Sequence, residues 1–422
     1  MTLLPDADRV LADLRDLRER TGGPGGARRL AWSPDWLAAR AWLEGKLHEL
    51  PVTVERDVAG NLWAELPGSG ALPGFVIVGS HIDAVPAGGW LDGALGVTTA
   101  LEVLRCLAAA DEPPPIAVRL VDWADEEGAR FGRSLVGSSA CAGTLQPDDV
   151  RDLRDAEGVR LQDAMAVCGV DLDAAPGATE RLDGAVAYLE LHIEQGPVLL
   201  DTGRLASAVS GTFGDERYLV HFHGQAAHAG STPMHLRRDT LAAAATAALE
   251  IREVGLRHGG VTTVGSMRSE PGVITAIAGE TEMMLDLRHL DADTLASMLR
   301  ECLAACEAAA RQFDCGVDFQ RVFGATPTPF HPRLVDVARA AVADAGGGDG
   351  EAIPSGPLHD ATEIGRVVPT VMIFAQSDPP VSHTPVEDSP EPALRVAIEA
   401  YGRTAGEVLD LVAAGELTEA AR

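Results

Sequence analysis

The sequence predicts an α/β protein with a mainly parallel sheet and an inserted α+β domain. Between about residues 75 and 192, apolar strand-like runs alternate with polar loops and helices, as in sheets that helices cover on both faces. From about residue 210 the pattern changes to several strands with two helices, and after Pro327 the α/β pattern returns. We therefore predict one discontinuous domain, 1–209 with 326–422, and a second domain, 210–325.

The first 66 residues predict two helices followed by two short strands. Ser33 before Pro34 has the composition of a helix start, with an N-cap and a proline in the first turn. Turn residues separate the two strand-like runs. The predicted elements are helices Asp6–Arg20 and Ser33–Leu50 and strands Val52–Asp57 and Asn61–Leu66.

Three apolar runs predict the parallel strands, and each is followed by a polar loop. In open α/β sheets, ligands bind at the carboxyl ends of such strands. We expect the functional residues in these loops. The runs are Phe75–Gly79, Ile116–Trp123 and Val186–His192, and a helix, Val97–Ala109, connects the first two.

The apolar patterns in the rest of the chain predict the remaining helices and strands of the two domains. The inserted domain is predicted to contain strands Tyr218–His223, Val261–Met267, Glu282–Arg288 and Val317–Phe323 and helices Thr240–Val254 and Ala292–Phe313. The last part of the chain predicts helix Arg333–Ala345, strand Val367–Ala375 and helix Pro392–Ala413.

The composition argues against two classes of partner. The chain carries 34 basic and 63 acidic residues, a formal net charge of −29. Such a surface repels nucleic-acid phosphates and anionic lipids, so we expect no nucleic acid and no membrane partner. The sequence shows no signal peptide, and its six scattered cysteines are typical of free thiols in a reducing compartment. These observations predict a cytoplasmic protein.

The loop after the first parallel strand contains candidate metal ligands. In the extended segment His81-Ile82-Asp83, the first and third side chains share a face, so Asp83 could orient the His81 imidazole toward a cation. Asp92 follows a glycine-rich bend and could bridge two cations. The alternatives are a polar loop histidine for His81 and a helix N-cap for Asp92.

Three consecutive acids follow the next strand: Asp125, Glu126 and Glu127. Their mutual repulsion raises their pKa values unless cations neutralise them. Two metal ions would give neighbouring carboxylates different roles, one as a ligand and one as a base that takes a proton from water. The alternative is a solvated acidic turn.

Two further histidines, His192 and His383, follow predicted strands. Each alone is more typical of a structural loop histidine. With His81, Asp92 and Glu127 they form a set of nitrogen and oxygen donors that suits zinc, and also manganese, cobalt or nickel. The set contains no thiolate, which argues against a purely structural zinc site.

Several motifs, taken together in their order and spacing, make the sequence similar to a family of dimetal hydrolases. This family comprises N-carbamoyl-L-amino-acid hydrolases, allantoate amidohydrolases and bacterial β-ureidopropionases, within the aminoacylase and carboxypeptidase-like clan. The resemblance implies a metallopeptidase-like catalytic domain, an inserted dimerisation domain and a homodimer. It also implies hydrolysis of a linear C–N amide, above all an N-carbamoyl (ureido) group of a small carboxylate-bearing molecule, with release of ammonia and carbon dioxide. The matching segments run from about residue 59 to 388 and include GSHIDAVPAGGWLDGALGV, DWADEEGARFGRSLVGSSA, LELHIEQGPVL, GQAAHAGSTPM, LDLR, PSGPLHDA and VSHTP.

The same resemblance implies a role for each matching residue. Glu126 matches the general base, and Gln195 a residue of the substrate pocket. His228 resembles a residue that polarises the scissile carbonyl from the partner subunit, and Arg288 the arginine that grips the substrate carboxylate. The ligands of two divalent cations would be His81, Asp92 as the bridging carboxylate, Glu127, His192 and His383.

The sequence departs from the family pattern at two substrate-contacting positions. Thr275 stands where the family usually has asparagine, and Leu358 where it usually has glycine. A threonine offers one short hydroxyl in place of an amide, and a leucine fills volume that a glycine leaves open. We expect the chemistry to be kept and the specificity to differ, with a smaller, more apolar pocket near Leu358.

Two alternatives stay open at this point. The chain could be an N-acyl-amino-acid hydrolase or a peptidase of the same clan, or a non-catalytic protein that binds a small molecule. Nucleophilic catalysis by serine has little support, because the sequence contains no G-x-S-x-G motif.

Overall fold

The computed structural model describes residues 1–23, 25–348 and 350–417. The chain forms two compact units, which we call unit 1, Met1–Gly211 with Phe330–Arg422, and unit 2, Thr212–Pro329. Residues 418–422, at the end of the first predicted domain, lie outside the described residues. None of the helices in the described ranges is long and apolar enough to cross a membrane.

The described residues contain twelve α-helices and two 3₁₀ segments. In chain order, the α-helices are α1 Ala7–Thr21, α2 Pro34–Leu47, α3 Ala94–Ala108, α4 Val136–Ala142, α5 Pro147–Val150, α6 Leu161–Val167, α7 Val198–Thr202, α8 Thr240–His258, α9 Ala292–Gln312, α10 Pro332–Asp344, α11 Asp360–Ile364 and α12 Glu391–Ala413. The 3₁₀ segments are Ala175–Leu182 and Met234–Leu236.

Seventeen strands occur in the same described ranges. In chain order they are β1 Gly22–Gly23, β2 Gly26–Ala27, β3 Thr53–Arg56, β4 Leu62–Leu66, β5 Phe75–His81, β6 Ala117–Trp123, β7 Ala185–Ile193, β8 Ala206–Thr212, β9 Gly214–His223, β10 Ala227–His228, β11 Val261–Glu270, β12 Ala276–Ile277, β13 Glu280–His289, β14 Gly316–Ala325, β15 Thr328–Pro329, β16 Ile353–Ser355 and β17 Thr370–Ala375.

A mixed sheet forms the centre of unit 1. Its strands lie in the order β8-β17-β7-β5-β6-β4-β3, and β16 also pairs with β8. The four central strands, β17, β7, β5 and β6, are parallel, whereas β8, β4 and β3 pair antiparallel with their neighbours. β5 and β7 are buried along their whole length, as parallel strands covered on both faces are expected to be.

The register of the parallel strands brings their following loops to one edge. His81, the last residue of β5, lies opposite Trp123, the last residue of β6. On the other side, Ile193 of β7 lies opposite Ala375 of β17. Four loops therefore leave the sheet at the same edge, which is the edge at which α/β sheets bind ligands.

Unit 2 is a four-stranded antiparallel sheet with two helices, α8 and α9. The strand order is β11-β13-β9-β14. Along β13, residues at alternate positions from Thr281 to Leu287 are buried, and they pack with Val220, Phe222 and residues of both helices in a separate core. This alternation is the pattern of a sheet with one covered face.

The predicted α/β class with a mainly parallel sheet is confirmed, with local differences. Ser33 caps α2 as predicted, because its side chain accepts a hydrogen bond from the Trp36 amide. The predicted strand Val367–Ala375 begins only at Thr370, since the amides of Val367 and Val368 bond back to the carbonyl of Ile364. β8 was not predicted from the sequence, because its residues, ASAVSGT, are mostly small and have no clear periodicity.

A buried ion pair links helix α2 to the strand that precedes the acidic loop. Arg40 Nε donates to Asp122 Oδ2 at 2.7 Å, Arg40 Nη2 donates to the Asp122 carbonyl at 3.0 Å, and Nη1 donates to the Gly60 carbonyl. Both side chains are at most 1% exposed. The guanidinium also lies over the Trp36 ring, 3.9 Å from its centroid.

We predict that Arg40→Met lowers the free energy of unfolding by about 3–5 kcal/mol, because it leaves the Asp122 carboxylate buried without its cation. Urea denaturation followed by tryptophan fluorescence measures this in unit 1, where all six tryptophans lie. Arg15→Met is the matched control, since Arg15 is 56% exposed and its ion pair with Glu391 should contribute less than about 1 kcal/mol. Equal unfolding midpoints for the two variants would contradict the prediction.

Candidate active site

The five predicted metal ligands lie together at the carboxyl edge of the parallel strands. His81 ends β5, and His192 is the second-last residue of β7. Asp92 lies just before α3, Glu127 follows β6, and His383 follows β17. Residues from five separate segments, up to 302 positions apart in the numbering, thus converge in unit 1.

These residues form two groups that could each hold a cation and that share Asp92. His81, Asp92 and His192 form one group, and Asp92, Glu127 and His383 form the other, with the ligand atoms of each group within 4.8 Å of one another. Asp92 Oδ1 lies 3.7 Å from His81 Nε2 and 3.0 Å from His192 Nε2. Asp92 Oδ2 lies 3.7 Å from His383 Nε2, which is 3.3 Å from Glu127 Oε2. The two oxygens of one carboxylate therefore face different groups.

Asp92 is not the N-cap of α3, so that alternative is wrong. The N-cap position belongs to Gly93, and no side chain caps the helix there. Gly93 has a φ of 63° and packs so closely on His81 that any side chain at this position would overlap the imidazole. The turn leaves the Asp92 carboxylate beside the histidines, where Asp92 Oδ2 also accepts a hydrogen bond from Gln195 Nε2 at 3.0 Å.

Backbone carbonyls orient both buried imidazoles. His81 Nδ1 lies 3.2 Å from the Asp83 carbonyl oxygen, and His192 Nδ1 lies 2.9 Å from the Ile193 carbonyl oxygen. A carbonyl only accepts hydrogen bonds, so each Nδ1 carries a proton and each Nε2 is left to bind a cation or a second proton. The amide of Gly93 donates to His192 Nε2 at 3.3 Å, which agrees with this tautomer.

The donor set fits divalent cations. His81 Nε2 is buried and has no hydrogen-bond partner. In each group, imidazole lone pairs face carboxylate oxygens, so a cation or an added proton must lie between them to offset the repulsion. Three imidazole nitrogens with carboxylate oxygens are the ligands that zinc and related divalent metals prefer.

Charges within this cluster shift the pKa values strongly. Burial favours the neutral form of Asp92, but the imidazoles of His192, His81 and His383 hold the pKa of its carboxyl below the ordinary range. Burial lowers the pKa of His81, yet the carboxylates of Glu126, Asp83 and Asp92 raise it well above its usual value. The pKa of the carboxyl is lowered and that of the imidazole is raised because each group stabilises the charged form of the other.

Glu126 lies beside this cluster and is not a ligand in either group. Its carboxylate Oε2 is 3.7 Å from His81 Nε2. Burial raises the pKa of Glu126 well above its usual value, and the nearby carboxylates of Asp360 and Glu127 add to this shift. A carboxyl with a raised pKa beside a candidate metal centre is suited to accept a proton near neutral pH.

The alternative of a solvated acidic turn is wrong for this loop. Asp125 is fully buried and Glu126 is 7% exposed. Asp125 adopts a left-handed backbone, with a φ of 57°, and its Oδ2 accepts a hydrogen bond from Trp32 Nε1 at 2.6 Å. Burial, with the charge of Asp83, raises the pKa of Asp125 to about 8. Asp125 therefore anchors the loop that presents Glu126 and Glu127.

Asp83 supports the site differently from the sequence prediction. Its Oδ1 lies 3.6 Å from His81 Nδ1, too far for a hydrogen bond. Its carboxylate instead accepts hydrogen bonds from the amides of Glu126 at 3.3 Å and Glu127 at 3.2 Å. The side chain is thus committed to the acidic loop, and the Asp83 carbonyl takes over the orientation of His81.

Two other loop residues have strained backbones. Gln195 has a φ of 59° and His383 a φ of 57°, values that non-glycine residues adopt rarely and mostly at functional sites. Gln195 Nε2 also donates to Ser382 Oγ at 2.9 Å. Buried Glu387 holds the same loop, because it accepts hydrogen bonds from Ser382 Oγ at 2.6 Å and from the His383 amide at 3.1 Å.

Two of the predicted substrate residues, His228 and Thr275, are neighbours in unit 2. β10, which contains His228, pairs with β12, and the carbonyl of Thr275 accepts a hydrogen bond from the Ala229 amide at 2.8 Å. His228 Nδ1 accepts hydrogen bonds from the amides of Gly230 at 3.1 Å and Ser231 at 3.2 Å. Its exposed Nε2 is therefore the protonated nitrogen and can donate a hydrogen bond to a ligand.

Arg288 lies on β13 of unit 2 and is paired within its own strand. Its Nε donates to Asp286 Oδ1 at 2.9 Å, and its Nη2 to Asp286 Oδ2 at 3.2 Å. Residues two apart on a strand share a face, so this ion pair fixes the direction of the guanidinium.

His359 lies in the site, although no role was predicted for it from the sequence. His359 is 1% exposed, its ring centroid lies 4.5 Å from that of His192, and neither ring nitrogen has a hydrogen-bond partner. Burial and the charge of His192 lower its pKa well below the usual value, so the ring is neutral. Half-buried Leu358 immediately precedes it. The sequence signal for this position is the segment PSGPLHDA, which contains His359 and matches the family pattern.

Comparison with known proteins identifies the family of this chain. The family model of peptidase family M20/M25/M40 matches residues 77–407. The chain is 35% identical over 399 residues to an N-carbamoyl-L-amino acid amidohydrolase of Geobacillus stearothermophilus, covering 94% of this chain and 97% of that protein. It is 35% identical over 365 residues to an allantoate amidohydrolase of Escherichia coli, covering 86% of this chain and 88% of that protein.

A solved structure shares the whole fold. The crystal structure of a hydantoinase/carbamoylase family amidase from Burkholderia ambifaria superposes with a TM-score of 0.86 at 34% identity, and each chain covers 100% of the other. The resemblance inferred from the sequence motifs is therefore confirmed. The chain belongs to peptidase family M20/M25/M40.

Proposed function

We propose that this chain hydrolyses the C–N bond of a ureido group in a small, carboxylate-bearing molecule such as an N-carbamoyl amino acid or allantoate. The observation that carries the proposal is the pair of ligand groups that share Asp92, with Glu126 beside them. The names of the relatives, an N-carbamoyl-L-amino acid amidohydrolase and an allantoate amidohydrolase, support the ureido group as the substrate class.

The resident cofactor of this proposal is a pair of divalent cations. His81, Asp92 and His192 would hold one, and Asp92, Glu127 and His383 the other. Zinc suits the donors best, and manganese, cobalt and nickel are the alternatives. When bound, such cations polarise a carbonyl and lower the pKa of water.

Glu126 moves the proton. Its carboxylate takes a proton from the attacking water while the water oxygen adds to the ureido carbon, and the same proton then passes to the leaving nitrogen as the C–N bond breaks. The remaining carbamate loses carbon dioxide and frees the second nitrogen, so the products are an amino compound, ammonia and carbon dioxide. The neutral, protonated form that burial favours in Glu126 suits the second transfer.

We assign His228 and Arg288 of unit 2 to substrate binding. The Nε2–H of His228 is a directed donor for the oxyanion that forms on the scissile carbonyl. Arg288 can bind a carboxylate through two parallel hydrogen bonds. In the related family, unit 2 corresponds to a dimerisation domain, and we propose a homodimer in which it has this role.

We also propose that the two departures from the family pattern, Thr275 and Leu358, affect substrate choice. Gln195 bonds to Asp92 and so lies at the metal centre, whereas Leu358 precedes the buried His359 next to His192. With Leu358 in place of glycine, and Thr275 in place of asparagine, the pocket would favour a smaller or more apolar substituent than allantoate carries. All six cysteines are free thiols, which supports a reducing, cytoplasmic location.

We predict that metal-loaded protein releases ammonia from N-carbamoyl-L-amino acids or allantoate, and that Glu126→Gln lowers kcat by about 10²–10⁴-fold. Coupled ammonia detection gives the rate, and metal analysis should show unchanged metal in the variant. Exposed Glu112 provides the matched control, Glu112→Gln, with full activity. Faster cleavage of N-acetyl amino acids than of ureido compounds would favour the alternative amidohydrolase, and an active Glu126→Gln would remove Glu126 from the mechanism.

We predict that His81→Ala lowers both bound metal and rate, because it removes a buried ligand nitrogen that has no other partner. Plasma emission spectrometry after dialysis measures metal per chain. His48→Ala, at an exposed histidine of unit 1, should keep the full content. A fully metallated His81→Ala variant would be incompatible with the assigned ligand set.

We predict that Arg288→Lys raises KM about tenfold or more for substrates with a free carboxylate, since lysine cannot form the paired hydrogen bonds. Steady-state kinetics on a carboxylate substrate and its neutral amide analogue separate this effect from a general loss of activity. Arg252→Lys, at an exposed position of unit 2, is the control variant. An equal change in KM for both substrates would argue against the assignment of Arg288.

A further inference from the structure

A cavity of unit 1 lies outside the site described above. Its volume is about 140 Å³, well above the roughly 10–15 Å³ that one water requires. The N-terminal hairpin formed by β1 and β2 provides one wall, and the Gly88-Gly89-Trp90 segment and Pro385 provide the other. Asp92 and His383 lie within four residues of these two segments, so the cavity wall is continuous in sequence with the loops of the candidate metal centre.

The charge of this cavity is unusual for so acidic a protein. Among the described residues that line it, Arg18 and Arg29 are charged, and no lining residue is an aspartate or glutamate. The formal net charge of the chain is −29. A positively charged recess on such a protein attracts a small anion locally.

Arg29 has unused hydrogen-bonding capacity at full burial. The residue is 0% exposed, and its Nε donates to the Ile82 carbonyl at 2.6 Å. Both terminal nitrogens, Nη1 and Nη2, are buried without a hydrogen-bond partner. The two terminal nitrogens of Arg29 carry four N–H groups. Leaving these donors buried without acceptors is strongly destabilising, so a ligand that accepts hydrogen bonds would stabilise the protein here.

Arg18 is held at the same cavity by an aromatic contact. Its guanidinium carbon lies 5.2 Å from the centroid of the Trp90 ring, and Trp90 Nε1 donates to Asp388 Oδ1 at 3.2 Å. The ring contacts the flat face of the Arg18 guanidinium. The N–H groups, which point outward in the plane of the guanidinium, stay available to a ligand.

We propose that this cavity is a binding site for a small oxyanion, held by Arg29 and Arg18. The ligand has the chemistry of sulfate, phosphate or a short carboxylate, which accept paired hydrogen bonds from guanidinium groups. The bound oxyanion bridges the hairpin to the loop that leads to Asp92. The carboxylates of Asp92, Asp83, Glu127 and Glu387 also interact with the charge of Arg29. Cations would neutralise Asp92 and Glu127, so we expect the oxyanion to bind most strongly to the metal-loaded protein.

The test is a titration of the metal-loaded protein at constant ionic strength. Sodium sulfate and sodium acetate are added separately, and isothermal calorimetry and the melting temperature report binding. We expect saturable binding of at least one of the two, and the preferred anion distinguishes a tetrahedral ligand from a carboxylate. Arg18→Gln should weaken binding about tenfold, and Arg29→Met should abolish it.

Matched variants keep the test decisive. Arg28→Gln removes the same charge from an exposed neighbour that does not line the cavity, and it should bind like the wild type. If the anion bound at the metal centre instead, Arg18→Gln would leave its affinity unchanged. The Arg18→Gln variant therefore decides the outcome even if Arg29→Met does not fold. The absence of saturable binding, or equal affinity in wild type and Arg18→Gln, would overturn the proposal.

Discussion

The geometry of the candidate site depends on one carboxylate, that of Asp92, whose two oxygens face different sets of imidazoles. Oδ1 faces His81 and His192, and Oδ2 faces His383. Because neutral imidazoles would direct lone pairs toward these oxygens, the arrangement needs positive charge between them. Either protons on the imidazoles or the proposed cations can supply this charge, so metal binding and local stability should be coupled.

The surrounding structure holds these groups in place by hydrogen bonds that are made independently of the cations. Carbonyls fix both imidazole tautomers, Asp83 accepts the amides of the acidic loop, and Glu387 holds the loop of His383. Three left-handed residues, Asp125, Gln195 and His383, lie in these loops, and each strained backbone costs about 1–3 kcal/mol. The buried sheet from which these loops leave provides packing that can sustain this cost.

Unit 2 contributes a different kind of chemistry. It contains none of the five proposed ligands, and its candidate residues are a directed N–H donor, His228, and an ion-paired guanidinium, Arg288. In the proposed function, unit 1 would hold the cations, Glu126 and the substrate residues Gln195 and Leu358, and unit 2 would add His228, Thr275 and Arg288. The same proposal assigns the departures at Thr275 and Leu358 to substrate choice, with the proposed ligands and Glu126 unchanged.

The sequence by itself determined the α/β class, most elements and the residues of the proposed metal centre, because apolar periodicity and strand-to-loop motifs are local properties of the chain. Only the tertiary structure decided which oxygen of Asp92 faces which imidazole, that Asp92 does not cap α3, and that the Asp83 carboxylate bonds to the acidic loop rather than to His81. It also brought His359 beside His192 and left the two terminal nitrogens of Arg29 buried without a hydrogen-bond partner. These features depend on contacts between segments that are distant in sequence, and on hydrogen-bond competition within them, which no local pattern records.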